Sequence, residues 1–118
     1  MTLEQIVTLL EGDFLTRQNH REKDIKTGCG CDLMSDVLAF IKQDALLLTG
    51  LTNAQVIRTA EMADVQAVCF VRGKKPSKEV IALAEEKEIA LLATSLPLFE
   101  ACGRLYREGL LGCSEYEG

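Results

Sequence analysis

The chain has 118 residues, of which 47% are hydrophobic and 26% charged, with a formal charge of −5. That length suits one domain that buries its own core, and no apolar run approaches the ~20 residues needed to span a bilayer. The acidic balance and the absence of tryptophan argue against a nucleic-acid binder, which presents a basic stripe with stacking aromatics.

The opening residues Met1-Thr2-Leu3-Glu4 show neither a basic region followed by an apolar segment nor a small-residue cleavage site. Five cysteines, at 29, 31, 69, 102 and 113, make an odd number, which fits a reducing compartment better than a secreted disulfide framework. A cytoplasmic protein is expected. No C-x-x-C spacing occurs, and the single histidine, His20, lies in a charged segment, so neither a metal site nor another cofactor is predicted.

Thr2 and Gln5 stand in the capping-box relation, and Leu3, Ile6, Val7 and Leu10 recur at helical spacing, with Met1 and Ile6 placed as a hydrophobic staple. These predict a helix from Leu3 to about Glu11, ended by Gly12 in the left-handed conformation. Phe14-Leu15-Thr16 reads as a short strand. Arg17 to Lys26, nearly devoid of apolar side chains, reads as a solvated loop or the tip of a hairpin. A strand is expected from Ile25 to Cys31. Asp32 then stands where a carboxylate caps a helix carrying Leu33, Met34, Val37, Leu38 and Ile41 on one face.

The rest of the chain has a rhythm. The apolar runs Ala45-Leu46-Leu47-Leu48-Thr49, Ala67-Val68-Cys69-Phe70-Val71 and Ile89-Ala90-Leu91-Leu92-Ala93 start 22 residues apart, each followed by a polar turn and a helical pattern. Unbroken apolar runs are what strands covered on both faces look like in parallel sheets. Thr52 with Gln55 predicts a second capping box, stapled by Leu51 and Val56 and followed by the stripe Val56, Ile57, Ala60 and Ala63. Pro76 and Ser77 open the next helix, which buries Val80, Ile81 and Ala84 and turns Glu85, Glu86 and Lys87 outward. Ser95 and Pro97 open the last, with Leu98, Cys102 and Leu105 on one side, Gly103 at a close helix contact, and Gly109 as the stop.

Right-handed crossovers place the strand-to-helix turns of such a sheet on one edge, where ligands bind. Four turns are expected to meet there: Gly28 to Asp32, Thr49 to Thr52, Arg72 to Ser77, and Thr94-Ser95. They would supply amides, hydroxyls and the cations Arg72, Lys74 and Lys75, a set suited to an anion. The candidate ligand-binding residues are Cys29, Gly30, Cys31, Asp32, Ser35, Asp36, Thr49, Gly50, Gly73, Lys74, Lys75, Thr94 and Ser95. Cys29 and Cys31, two apart on an extended segment, suggest either packing or thiol chemistry. Asp32 and Asp36 lack a partner nucleophile, so no catalytic residue is assigned.

Taken in order, the leading helix, Asp32-Leu33-Met34-Ser35-Asp36-Val37-Leu38-Ala39, the glycine after the second apolar run, Pro76, and Ala93-Thr94-Ser95 with Phe99 and Glu100 resemble the DRTGG domain. That domain is similar to the N-terminal domain of HPr kinase/phosphorylase, and also occurs in phosphate acetyltransferases and between the CBS domains of regulatory pyrophosphatases. Gly50-Leu51-Thr52 stands where the family has Gly-Asp-Arg, and Val71-Arg72-Gly73-Lys74 where it has Thr-Gly-Gly. A phosphate-loop kinase is excluded, because Arg72-Gly73-Lys74-Lys75-Pro76-Ser77 lacks the loop around its Gly-Lys.

The resemblance implies one domain over 1–118, a three-layer α/β fold with a mainly parallel sheet, and a non-catalytic regulatory module that senses a nucleotide or another anion. It implies a homodimer, for which Phe40, Leu51, Phe99 and Tyr106 would supply apolar surface. Stand-alone members with a cysteine-containing turn before Asp-Leu-x-Ser-Asp-Val suggest an alternative, an assembly module for a redox enzyme of the iron-hydrogenase type.

Overall fold

The protein is described by a computed structural model covering residues 1–17 and 20–116. Its elements run α1 (Leu3–Leu9), β1 (Asp13–Phe14), β2 (Thr27–Gly30), α2 (Met34–Phe40), β3 (Ala45–Thr49), α3 (Ala54–Met62), β4 (Ala67–Phe70), α4 (Lys78–Glu86), β5 (Ala90–Ala93), α5 (Leu98–Arg107) and β6 (Leu111–Gly112). One six-stranded sheet has the order β1-β5-β4-β3-β2-β6. Strands β2 to β5 are mutually parallel and β6 is parallel to β2, whereas β1 runs antiparallel along β5. The three apolar runs are thus β3, β4 and β5, three adjacent interior strands, as their unbroken hydrophobicity requires.

Alternation along the buried strands splits the core in two. Leu46, Leu48, Ala67, Cys69, Val71, Ala90 and Leu92 face α1 and α5, with Leu3, Ile6, Ala101 and Leu105. Leu47, Val68, Phe70 and Leu91 face α2, α3 and α4, with Met34, Val37, Val56, Ile57, Val80 and Ala84. Two helices therefore cover one face and three the other, which makes the three layers. Among the described residues no helix is long and apolar enough to cross a membrane.

The N-terminal capping box forms as read, Gln5 N–H donating to Thr2 Oγ1 and Thr2 N–H to Gln5 Oε1. Ser77 likewise caps α4 by accepting from Val80 N–H. Several local expectations are corrected. The left-handed residue after α1 is Glu11 (φ 52°), not Gly12; glycine is needed at 12 because a Cβ there would lie 2.4 Å from the Ala93 carbonyl oxygen. Four helices end in this way, with Glu11, Asp64, Glu88 and Gly109 left-handed. In each the next amide reaches back five residues: Gly12 N–H to Val7, Val65 to Ala60, Ile89 to Ala84 and Leu110 to Leu105. These are Schellman closures, three of them built on an acid where glycine is usual.

No Thr52–Gln55 box forms, because α3 starts later, from Asn53, without a side-chain cap. Nor does Ser95 cap α5, whose N-cap is Pro97. On α2 only Met34 and Val37 are buried, Leu33 and Leu38 being exposed. Glu85 is not simply solvated, since it accepts from Arg17 N–H at 2.7 Å. Gly103 marks no close approach: a Cβ there would meet nothing within 4 Å. The strand expected from Ile25 forms only over Thr27–Gly30, with Ile25 buried before it. The segment 20–26 is loop apart from a bridge between Thr2 and Asp24; Gln18 and Asn19, in the same predicted loop, lie outside the described residues.

Candidate functional site

Because β2 is parallel to its neighbours, the turns that leave β2, β3, β4 and β5 emerge on one edge of the sheet. Between them lies a cleft of about 470 Å³ lined by Asp32, Gly50, Leu51, Val71, Arg72, Lys74, Pro97 and Leu98. Each turn contributes to it: Asp32 from the first, Gly50 and Leu51 from the second, Arg72 and Lys74 from the third, Pro97 and Leu98 from the fourth.

Asp32 is not the helix cap its position suggests. The N-cap of α2 is Leu33, without a side-chain bond, and Asp32 reaches across to the end of β3. Its Oδ1 accepts from the Thr49 hydroxyl at 2.7 Å and from Gly50 N–H at 2.8 Å. The Gly50 amide first, then the Thr49 hydroxyl, hold its carboxyl below the ordinary value of 3.8; burial opposes them, and the charges of Lys74 and Arg72 add the weakest lowering effects. Just ahead of the helix, the Cys31 sulfur accepts from the N–H of the N-cap Leu33 at 3.4 Å, which leaves the first-turn amides without a side-chain cap.

The opposite wall is the turn after β4. Arg72 is left-handed (φ 61°), as is Gly73 (φ 71°). The turn is tied to its neighbour by Arg72 N–H to the Leu96 carbonyl at 2.8 Å and Gly73 N–H to Thr94 at 3.0 Å. Arg72 and Lys74 are exposed, and among the described residues neither is in an ion pair. A left-handed non-glycine residue costs roughly 1–2 kcal/mol, and among the described residues Arg72 is the only one that follows a strand rather than preceding one.

Of the thirteen candidates, then, Asp32, Gly50 and Lys74 line the cleft, with Thr49 buried beneath them. Gly73 shapes the turn, and Lys75 is exposed beside it without lining the cleft. Ser35 and Asp36 are exposed on α2, outside it. Cys29 packs half-buried against the core layer that holds Met34, Val37 and Leu47, its thiol pushed up to about 12 mainly by burial, with Cys113, Cys31 and Cys102 adding to it. Gly30 faces the other layer, where a Cβ would come within 2.5 Å of Cys102 Sγ. Thr94 is buried and donates to the Leu10 carbonyl at 2.7 Å, away from the cleft, and Ser95 is exposed outside it. All five cysteines are free, and among the described residues no group of three or more His, Cys, Asp or Glu is placed to hold a metal.

What the sequence reading did not single out is the apolar wall, Leu51, Val71, Pro97 and Leu98. Its signal was present as a repeat: Ala45-Leu-Leu-Leu-Thr-Gly-Leu-Thr52 and Ala90-Leu-Leu-Ala-Thr-Ser-Leu-Pro97 are two copies of one strand-and-turn. In both, the threonine hydroxyl oxygen accepts from the amide two residues on, Leu51 and Leu96, each at 3.2 Å.

Comparison with known families matches the DRTGG domain over residues 5–107. Among solved structures, the chain is similar to the CBS and DRTGG domains of the regulatory region of Clostridium perfringens pyrophosphatase, complexed with the activator diadenosine tetraphosphate. The TM-score is 0.76 at 21% identity, over 96% of this chain and 49% of that one. This chain thus spans about half of that structure, and the likeness establishes the fold. No curated protein matches the chain.

Proposed function

The chain belongs to the DRTGG domain family, and from that premise we propose that it is a non-catalytic regulatory module that senses an anionic ligand, a nucleotide or another phosphate-bearing molecule. The observation that carries this reading is the cleft where four turns meet. There two cations without ion-pair partners among the described residues line a hollow shared with the Asp32 carboxylate and the apolar Leu51, Val71, Pro97 and Leu98. A pocket of this size, mostly apolar with a few convergent polar groups, suits a small molecule. The helices α2, α3 and α5 that leave it carry no side-chain caps, so their first amides keep donor capacity that an anion can use.

The similar solved region is regulatory and was obtained with a dinucleoside polyphosphate activator, which supports the ligand class. Homodimerisation is part of the same proposal, resting on Phe40, Phe99 and Tyr106, which are 70%, 87% and 58% exposed. What weighs against docking to a redox enzyme through the cysteine turn is that burial holds the Cys29 thiol protonated and Cys31 is engaged with Leu33. The ligand reading is tested by a thermal-shift panel of adenine nucleotides, acetyl phosphate and inorganic phosphate. At least one should raise the midpoint of the wild type and do so less in Lys74→Ala; a panel that moves neither protein overturns it.

A further inference from the structure

The cleft has two chemically opposed walls. Arg72 and Lys74 on one side attract an anion, whereas Asp32 on the other repels it. The fold does not need a carboxylate at 32 to begin α2, since Leu33 is the N-cap. Both of its internal hydrogen bonds fall on Oδ1. Oδ2 has no hydrogen-bond partner among the described residues, and it lies 3.7 Å from where a side chain at Gly50 would begin. An ionised carboxylate oxygen only accepts, so the ligand group that satisfies Oδ2 is an O–H or N–H donor.

Three demands follow for one ligand: an anionic group for Arg72 and Lys74, a donor for Asp32, and an apolar body for Leu51, Val71, Pro97 and Leu98. Inorganic phosphate supplies the anion and, at neutral pH, a P–O–H donor, but no apolar body for the remaining wall. A nucleoside phosphate meets all three, and a carboxylate at the end of a strand that takes ribose hydroxyls is a recurring solution in parallel α/β sheets. We propose that Asp32 is the specificity-determining residue of the cleft, accepting hydrogen bonds from the ribose hydroxyls of a nucleoside phosphate whose phosphate lies against Arg72 and Lys74. The inference rests on the ligand reading above and narrows it.

The test is titration calorimetry of the full chain with AMP, 2′,3′-dideoxyAMP and inorganic phosphate, on the wild type and on Asp32→Asn. The asparagine keeps an Oδ1 for Thr49 and Gly50 and replaces the free oxygen by an amide donor. AMP should bind the wild type at least tenfold more tightly than the dideoxy compound, a factor set by hydrogen bonds to a charged group, and phosphate should bind more weakly than AMP. Asp32→Asn should lose that preference by weakening AMP alone. Equal affinity for AMP and its dideoxy form, or phosphate as tight as AMP, overturns the role of Asp32 while leaving an anion site standing. If neither AMP nor phosphate binds, both readings fall. The dideoxy comparison is made on the wild type, so it decides the matter even where the variant folds poorly.

Discussion

Thr49, the last residue of β3, and Thr94, the first after β5, close two strands of nearly identical sequence, with the same hydroxyl bond to the amide two residues on. Their surroundings differ. The Thr94 hydroxyl donates to the buried Leu10 carbonyl and joins α1 to β5, beside Gly12 packed against Ala93. The Thr49 hydroxyl donates to the exposed carboxylate of Asp32 and so forms part of the floor of an open cleft. One local code thus makes a seal in one place and a ligand-facing edge in the other, and the tertiary neighbour decides which. A larger hollow, about 730 Å³ near α1 and the end of α5, makes the same point from the other side. Its charged lining is Glu4, Asp24 and Glu108 against Lys26 and the Met1 ammonium, both of which already pair with Asp24. That balance disfavours an anion.

The contrast can be broken experimentally. The largest effect is expected at the seal, where Gly12→Val drives a side chain into the Ala93 carbonyl and should cost about 3 kcal/mol in urea unfolding. Thr94→Val leaves a buried carbonyl without its donor and should cost about 2 kcal/mol, with ligand affinity unchanged. Thr49→Val, where water can replace the lost bond to Asp32, should cost only about 1 kcal/mol but weaken ligand binding. If the two threonine variants behaved alike in both measurements, the distinction between seal and cleft would fail.

A smaller effect concerns pH. The Asp32 carboxyl titrates below its ordinary value of 3.8 in the folded protein. It therefore contributes stability that is complete above the unfolded value and lost as pH falls through the folded one. The stability gap between wild type and Asp32→Asn should be constant well above pH ~3.8 and narrow as pH falls from there through the lower folded value; a gap that stays constant down through that acid range would contradict the assignment.

The architecture was legible in the sequence because strands buried on both faces leave an unbroken apolar record. Ala45–Thr49, Ala67–Phe70 and Ala90–Ala93 could hardly be anything else between polar turns. The convergence of the turns followed from chirality rather than from any motif. The misreadings share one physical cause, a long-range partner that outcompetes a local one. Asp32 looks like a cap until β3 places Thr49 and Gly50 beside it, 17 and 18 residues away. Gly12 looks like a left-handed stop, but its reason is a strand some eighty residues later in the chain. Thr94 looks like a ligand hydroxyl until α1 supplies a carbonyl. Nothing local separates Thr49 from Thr94, so that part of the site could only be read from the fold.

The central claim is that the turn after β4 is kept in a costly conformation to present a cation to the cleft. Arg72→Gly tests it most directly, with melting temperature and AMP affinity measured on the same protein. Glycine removes the left-handed penalty of roughly 1–2 kcal/mol together with the guanidinium. The account predicts a higher melting temperature and weaker AMP binding. A variant that binds AMP as well as the wild type, or that gains no stability, would contradict it.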